Sequence, residues 1–125
     1  MDAIEIQATE LTPYIKLDKE NGKFIIAQKS LPENAIEFYK PILEWLEEYS
    51  EDPNPETIVE FKMEYYNTST AKQFARIFLL LEKMHLKKKS NVEIHWYYTA
   101  DDLDMYHSGK RYEKLLKLPF KFFEV

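Results

Sequence analysis

The segment Tyr65-Tyr66-Asn67-Thr68-Ser69-Thr70 puts three hydroxyls and an amide where an alternating strand hands over to an apolar helix. Before it, Val59, Phe61, Met63 and Tyr65 alternate with Glu60, Lys62 and Glu64, the period of a strand with one buried face. From Ala71 the apolar spacing becomes helical. The first N–H groups of a helix have no partner within it, and the dipole favours negative charge there, so Thr68, Ser69 and Thr70 surround a natural anion position. Two chemistries follow. The hydroxyls can cap the helix by accepting from N–H groups two or three residues on, or they can accept a phosphoryl group. Residue types alone favour capping, because Ser, Thr and Asn open helices routinely.

Composition limits what else the chain can do. Its 125 residues have room for one core, so residues 1–125 are expected to form a single domain. Eight Phe, nine Tyr and two Trp supply enough aromatic surface for burial of rings to dominate stability. With no cysteine, disulfides, thiolate zinc sites and cysteine nucleophiles are all excluded. His85, His95 and His107 show no metal-ligand spacing, and no cofactor is expected. Two glycines, Gly22 and Gly109, cannot build a P-loop or a dinucleotide turn. A net charge of -5 argues against nucleic acid, and the one basic run, Lys87-Lys88-Lys89, suits the C-terminal end of a helix closing near Leu86. The acidic, mixed start (Asp2, Glu5, Glu10) is unlike a signal peptide and no apolar run is long enough to span a bilayer. A cytoplasmic protein without a membrane partner is expected.

The elements that must position the hydroxyl cluster can be read along the chain. Tyr14 to Asp18 and Lys23 to Gln28 read as a hairpin, Ile15 and Leu17 facing Phe24 and Ile26, with Glu20-Asn21-Gly22 in the turn. A further short strand at Ile4 and Ile6 leads in. Pro32-Glu33-Asn34 opens a helix to about Ser50, with Ile36, Tyr39, Ile42, Leu43 and Leu46 on one side. Phe38, Trp45 and Tyr49 widen that arc, either as a second buried contact or as an aromatic patch for a partner, and Pro41 should bend its first turns. A strand over 57–66 and a helix over about 70–86 follow; the Ile77-Phe78-Leu79-Leu80-Leu81 run predicts a helix buried all round. Val92, Ile94, Trp96 and Tyr98 form another strand. Thr99-Ala100-Asp101-Asp102 has the form of a capping box for a third helix to about Leu116, with Ser108-Gly109 a weak point in it. Asp101, Asp102 and Asp104 either complement that helix's dipole or hold a hard metal, and dipole complementation is favoured. Phe120 and Phe122 supply a last strand.

This alternation predicts an α/β domain, a mixed sheet with an N-terminal hairpin and the last four strands parallel, and the solvent-side charges on two strands put the helices mainly on one face. Loops that leave strands and enter helices collect along one sheet edge. Glu33 and Asn34, then Asn67, Thr68 and Ser69, then Asp101 and Asp102 should therefore be neighbours around a partner-facing edge, with Thr70 beside them.

Thr12-Pro13, Leu31-Pro32-Glu33-Asn34-Ala35, Tyr65 to Thr70, Leu79-Leu80-Leu81-Glu82, Val92 to Tyr98 and Leu118-Pro119-Phe120 together resemble the SiaC family of bacterial biofilm-regulating phosphoproteins. The resemblance spans nearly the whole chain, and P-E-N before the first helix with N-T-S before the second is its most specific part. It implies a fold like that of anti-sigma-factor antagonists, the STAS-like fold. It also implies that Thr68 is phosphorylated by a dedicated Ser/Thr kinase and dephosphorylated by a PP2C-type phosphatase. In the unphosphorylated state such a protein binds a GGDEF-domain diguanylate cyclase and raises cyclic di-GMP synthesis. Family members carry two serines after the threonine, whereas this chain has Ser69 and Thr70, which leaves Ser69 as an alternative acceptor.

The expected function is thus a non-enzymatic switch that phosphate on Thr68 releases from its cyclase. The alternative is a partner-switching antagonist acting on an anti-sigma factor or kinase, and co-purification separates the two. A hydrolase built on Thr68, His95 and an aspartate is disfavoured, because no spacing brings a base to the hydroxyl and no glycine-rich oxyanion turn accompanies it.

Overall fold

A computed structural model describes residues 1–125. The elements run β1 (Ile4–Ile6), β2 (Tyr14–Asp18), β3 (Lys23–Ser30), α1 (Ala35–Tyr49), β4 (Glu56–Tyr66), α2 (Thr68–Leu86), β5 (Asn91–Tyr98), α3 (Leu103–Leu115) and β6 (Phe120–Glu124). The strands stand in the sheet in their sequence order, β1 to β6. β1, β2 and β3 pair antiparallel, and β3, β4, β5 and β6 pair parallel. Each parallel crossover moves one strand in the same direction, so right-handed connections put all three helices on one face. The other face is open and carries Lys16, Glu60, Lys62, Glu93, His95 and Tyr97.

Local patterning explains most of this. Ile15 lies opposite Ile26 and Leu17 opposite Phe24, as the alternation requires. The hairpin loop is residues 19–22, longer than a two-residue Asn-Gly turn. Gly22 supplies its left-handed position (φ 63°), while the Asp18 carboxylate accepts from the Asn21 backbone (3.1 Å) and side chain (2.7 Å). Under the helices, Phe61 stands at the centre, its ring centroid 5.2 Å from Phe74, 5.0 Å from Phe78 and 5.5 Å from Trp96.

α1 runs unbroken through Pro41, which is exposed. Its wide aromatic arc is a buried contact: Trp45 and Tyr49 are buried, and Trp45 Nε1 donates to the Asp2 carbonyl (2.7 Å), so the N-terminal segment covers it. Phe38 is half-buried against the same core. Ile36 departs from expectation. It sits in the first helical turn, on the flank beside the start of α2, and is 65% exposed. The apolar run in α2 is likewise not buried all round, since Leu79 points away from both sheet and α1 and is 58% exposed. No helix is long and apolar enough to cross a membrane.

Candidate functional site

The hydroxyl cluster lies where β4 ends, and a β-bulge decides how. Met63 pairs with Gln28 and Tyr65 with Lys29, so Glu64 is an extra residue in β4, and Gln28 opposite takes a left-handed φ of 76°. The bulge inverts the alternation. Tyr65, expected on the buried face with Met63, is turned outward, and Tyr66 turns inward, its ring 5.0 Å from that of Phe74.

α2 starts at Thr68, two residues before the sequence indicated, because Asn67 and none of the hydroxyls is its N-cap. Asn67 Oδ1 accepts from the Thr70 N–H (2.9 Å), its carbonyl accepts from the Ala71 N–H (2.9 Å), and its own N–H donates to the Ser30 carbonyl (3.2 Å). The capping reading of the cluster is therefore correct for the amide and wrong for the three hydroxyls. Those divide by position on the first turn. Thr70 is fully buried: its Oγ1 donates to the Ser30 carbonyl (3.0 Å) and lies 2.8 Å from Ser30 Oγ, which in turn lies 2.7 Å from Tyr39 Oη. With Thr70's one proton spent on the carbonyl, the chain orders itself, Tyr39 donating to Ser30 and Ser30 to Thr70. Thr68 and Ser69 are exposed, and their N–H groups have no partner within the helix.

Burial pushes the Tyr39 phenol well above its ordinary 10.0, against a smaller opposing effect of the Ser30 hydrogen bond. The folded state thus holds this proton where the unfolded chain gives it up. The contribution to stability is fully present below pH 10.0 and is lost as pH rises beyond it. The urea midpoint measured from about pH 10 to about pH 12 should accordingly fall less steeply in Tyr39→Phe than in the parent.

The predicted neighbours meet at Thr68, which stands between two open recesses. One, of about 330 Å³, is shared with Glu33, Asn34, Ser69 and Lys72. The other, of 480 Å³, is shared with Asp102, Asp104, Arg111 and Tyr112 of the α3 region. Asn34 caps α1, its side chain accepting from the Glu37 N–H (3.1 Å). Asp102 is the N-cap of α3 and accepts from the Met105 N–H (3.0 Å), which corrects the expected capping box: residues 99–102 form a turn before the helix, closed by Asp102 N–H to the Thr99 carbonyl (3.0 Å). An aspartate caps at least as well as a threonine, and here it is the residue at the boundary. Asp101 takes no part in either recess; it is exposed and accepts from Thr99 Oγ1 (2.7 Å). The aspartates do not converge into a metal-holding group. His95 is on the open face of the sheet, its Nε2 2.6 Å from Glu93 Oε1, so it is not assembled with Thr68.

Residues 6–125 match the SiaC family regulatory phosphoprotein description. The chain belongs to this family. A Pseudomonas aeruginosa (strain UCBPP-PA14) protein is 26% identical over 120 residues, covering 96% of this chain and 94% of its own. The solved SiaC of Pseudomonas aeruginosa superposes with a TM-score of 0.90 at 25% identity, each chain covered in full. SiaC in the crystal structure of the diguanylate cyclase SiaD with its activator SiaC, from the same organism, shares the fold at a TM-score of 0.91 and 24% identity, over 98% of this chain and 99% of that one.

The α3 wall of the larger recess escaped the sequence reading. Asp104, Ser108, Arg111 and Leu115 recur at helical spacing and so form one ridge, but only the packing of α3 shows that this ridge faces Thr68. Tyr112, on the neighbouring ridge, has its phenol pushed well up by burial and then by Tyr66. Gly109 is no weak point. A Cβ there would lie 2.6 Å from Trp96 Cδ1, so the missing side chain is what lets α3 lie against β5.

Proposed function

We propose that this SiaC-family chain is a binding switch acting without catalysis of its own: with Thr68 free it docks on a GGDEF-domain diguanylate cyclase in the cytoplasm and raises its output, and phosphate on Thr68 releases it. The observation that carries this reading is the division of the hydroxyls. Thr70 is buried and spent on Ser30, while Thr68 is exposed on the rim between two recesses, open to a kinase, a PP2C-type phosphatase and a partner. Ser69, equally exposed, is the alternative acceptor. The fold shared with SiaC in its complex with the cyclase SiaD supports a cyclase as the class of partner.

A partner covering this edge must take Thr68 out of water. A phosphate there carries roughly -1.5 to -2 charges, which a buried interface has to desolvate or pair. Cyclic di-GMP synthesis by the cognate cyclase should rise with unmodified protein, and Thr68-phosphorylated protein should need at least about tenfold higher concentration for the same effect. Equal stimulation by both forms would overturn the switch; phosphate found on Ser69 alone would move the acceptor by one residue.

A further inference from the structure

We infer that Arg111 is the residue that receives the Thr68 phosphate, closing the recess between α2 and α3 with an internal guanidinium–phosphate pair. This rests on the reading of Thr68 as the acceptor. Arg111 is the one cation lining that recess, and it enters none of the molecule's ion pairs although Asp102 and Asp104 line the same space. Its Nη2 donates to Ser108 Oγ at 3.2 Å. A guanidinium has five N–H donors in a planar fork that matches a phosphate monoester two bonds at a time. Asp102 is held in place by capping α3, and so is not free to swing across as a substitute partner.

The wall that carries Arg111 is firm. Trp96 Nε1 donates to the Met105 carbonyl (2.9 Å), and Gly109 sits directly against the Trp96 ring, so α3 is tied to β5 on both sides of Ser108. Thr68 occupies the facing wall at the first position of α2. Lys72, one helical turn after Thr68, is the competing cation, but it lines the other recess, with Glu33. Phosphorylation therefore does more than add charge to an edge already bearing Glu33, Asp102 and Asp104. It draws Arg111 across the recess, ties α2 to α3 and withdraws both the guanidinium and the recess from a partner.

The test is a phosphorus NMR titration of full-length protein carrying phosphothreonine at position 68, installed by genetic encoding so that no kinase is needed. A neighbouring guanidinium favours the dianion, so the phosphate should bind its second proton about tenfold more tightly in Arg111→Gln than in the parent, with Arg111→Lys between and Lys72→Gln close to the parent. Arg111 is exposed, so these variants keep the fold. An unchanged titration in Arg111→Gln, or the whole change appearing in Lys72→Gln instead, overturns the proposal. Cyclase stimulation by the same phosphoprotein decides separately whether Thr68 is a switch: if phosphate leaves stimulation intact, that reading falls, while the titration alone still decides the Arg111 contact.

Discussion

Gly109→Ala should destabilise the protein by about 3 kcal/mol and lower its melting temperature by about 10 °C, although helix propensity on its own predicts the opposite sign. Alanine in place of glycine in a helix interior contributes about 1 kcal/mol in favour of the fold. Here the new Cβ would stand 2.6 Å from Trp96 Cδ1, 2.7 Å from Trp96 Nε1 and 2.7 Å from Phe122 Cε2. The indole is not a flexible tip that can step aside. Trp96 is fully buried, its ring stacks on Phe61 at 5.5 Å, and its Nε1 is committed to the Met105 carbonyl. Either α3 lifts off the sheet or Trp96 gives up its hydrogen bond; overpacking costs about 1–3 kcal/mol and an unmet buried donor about as much again. Differential scanning calorimetry reads the outcome, and a melting point raised by the substitution would mean that α3 is free to shift.

Thr70→Val should cost about 2 kcal/mol while Thr68→Val changes stability by no more than about 0.5 kcal/mol. Valine keeps the shape of threonine and removes only the hydroxyl chemistry. At position 70 that hydroxyl is fully buried, donates to the Ser30 carbonyl and accepts from Ser30 Oγ. Its loss leaves the Ser30 proton without an acceptor in a site closed to water, and the Tyr39 link behind it is disturbed. At position 68 the side chain is exposed and the helix is capped by Asn67, so neither packing nor a cap is lost. Urea unfolding of the two variants side by side measures the difference. Equal losses would show that Thr68 also serves the fold, and would remove the reason for treating it as the hydroxyl available to an enzyme.

The parts of this fold that were legible in the sequence are those set by period. Ile15 and Leu17 find Ile26 and Phe24 because alternation puts all four on one face and the short loop between the strands sets their register. The parallel order from β3 onward follows from alternating strand and helix with right-handed crossovers, and the helices on one face from the charges that alternate along β4 and β5. The parts that were not legible depend on neighbours distant in sequence. The extra residue in β4 arises from pairing with Gln28 and Lys29, and it exchanges Tyr65 for Tyr66 on the buried face. Which of several capping side chains opens a helix was decided at Asn67 and Asp102 by where the preceding strand and turn deliver the chain. Gly109 reads as a breaker until Trp96 and Phe122 are placed beside it. For the site, the meeting of Glu33, Asn34, Thr68 and Asp102 was legible from loop order, whereas Arg111 was not, because a helix's sequence gives its ridges and not which of them faces inward.

The order of the strands has a consequence for how the molecule is made. Since every strand lies beside the one synthesised before it, the sheet can extend outward from its N-terminal edge as the ribosome delivers the chain, and no segment has to be inserted between two others already paired. The C-terminal strand is the last laid down and forms the outer edge, yet Phe122 is one of the rings that close on Gly109. The wall opposite Thr68 is therefore finished only once β6 has been laid down, and a chain synthesised as far as α2 can hold its threonine at the head of that helix before α3 brings Arg111 to the same recess.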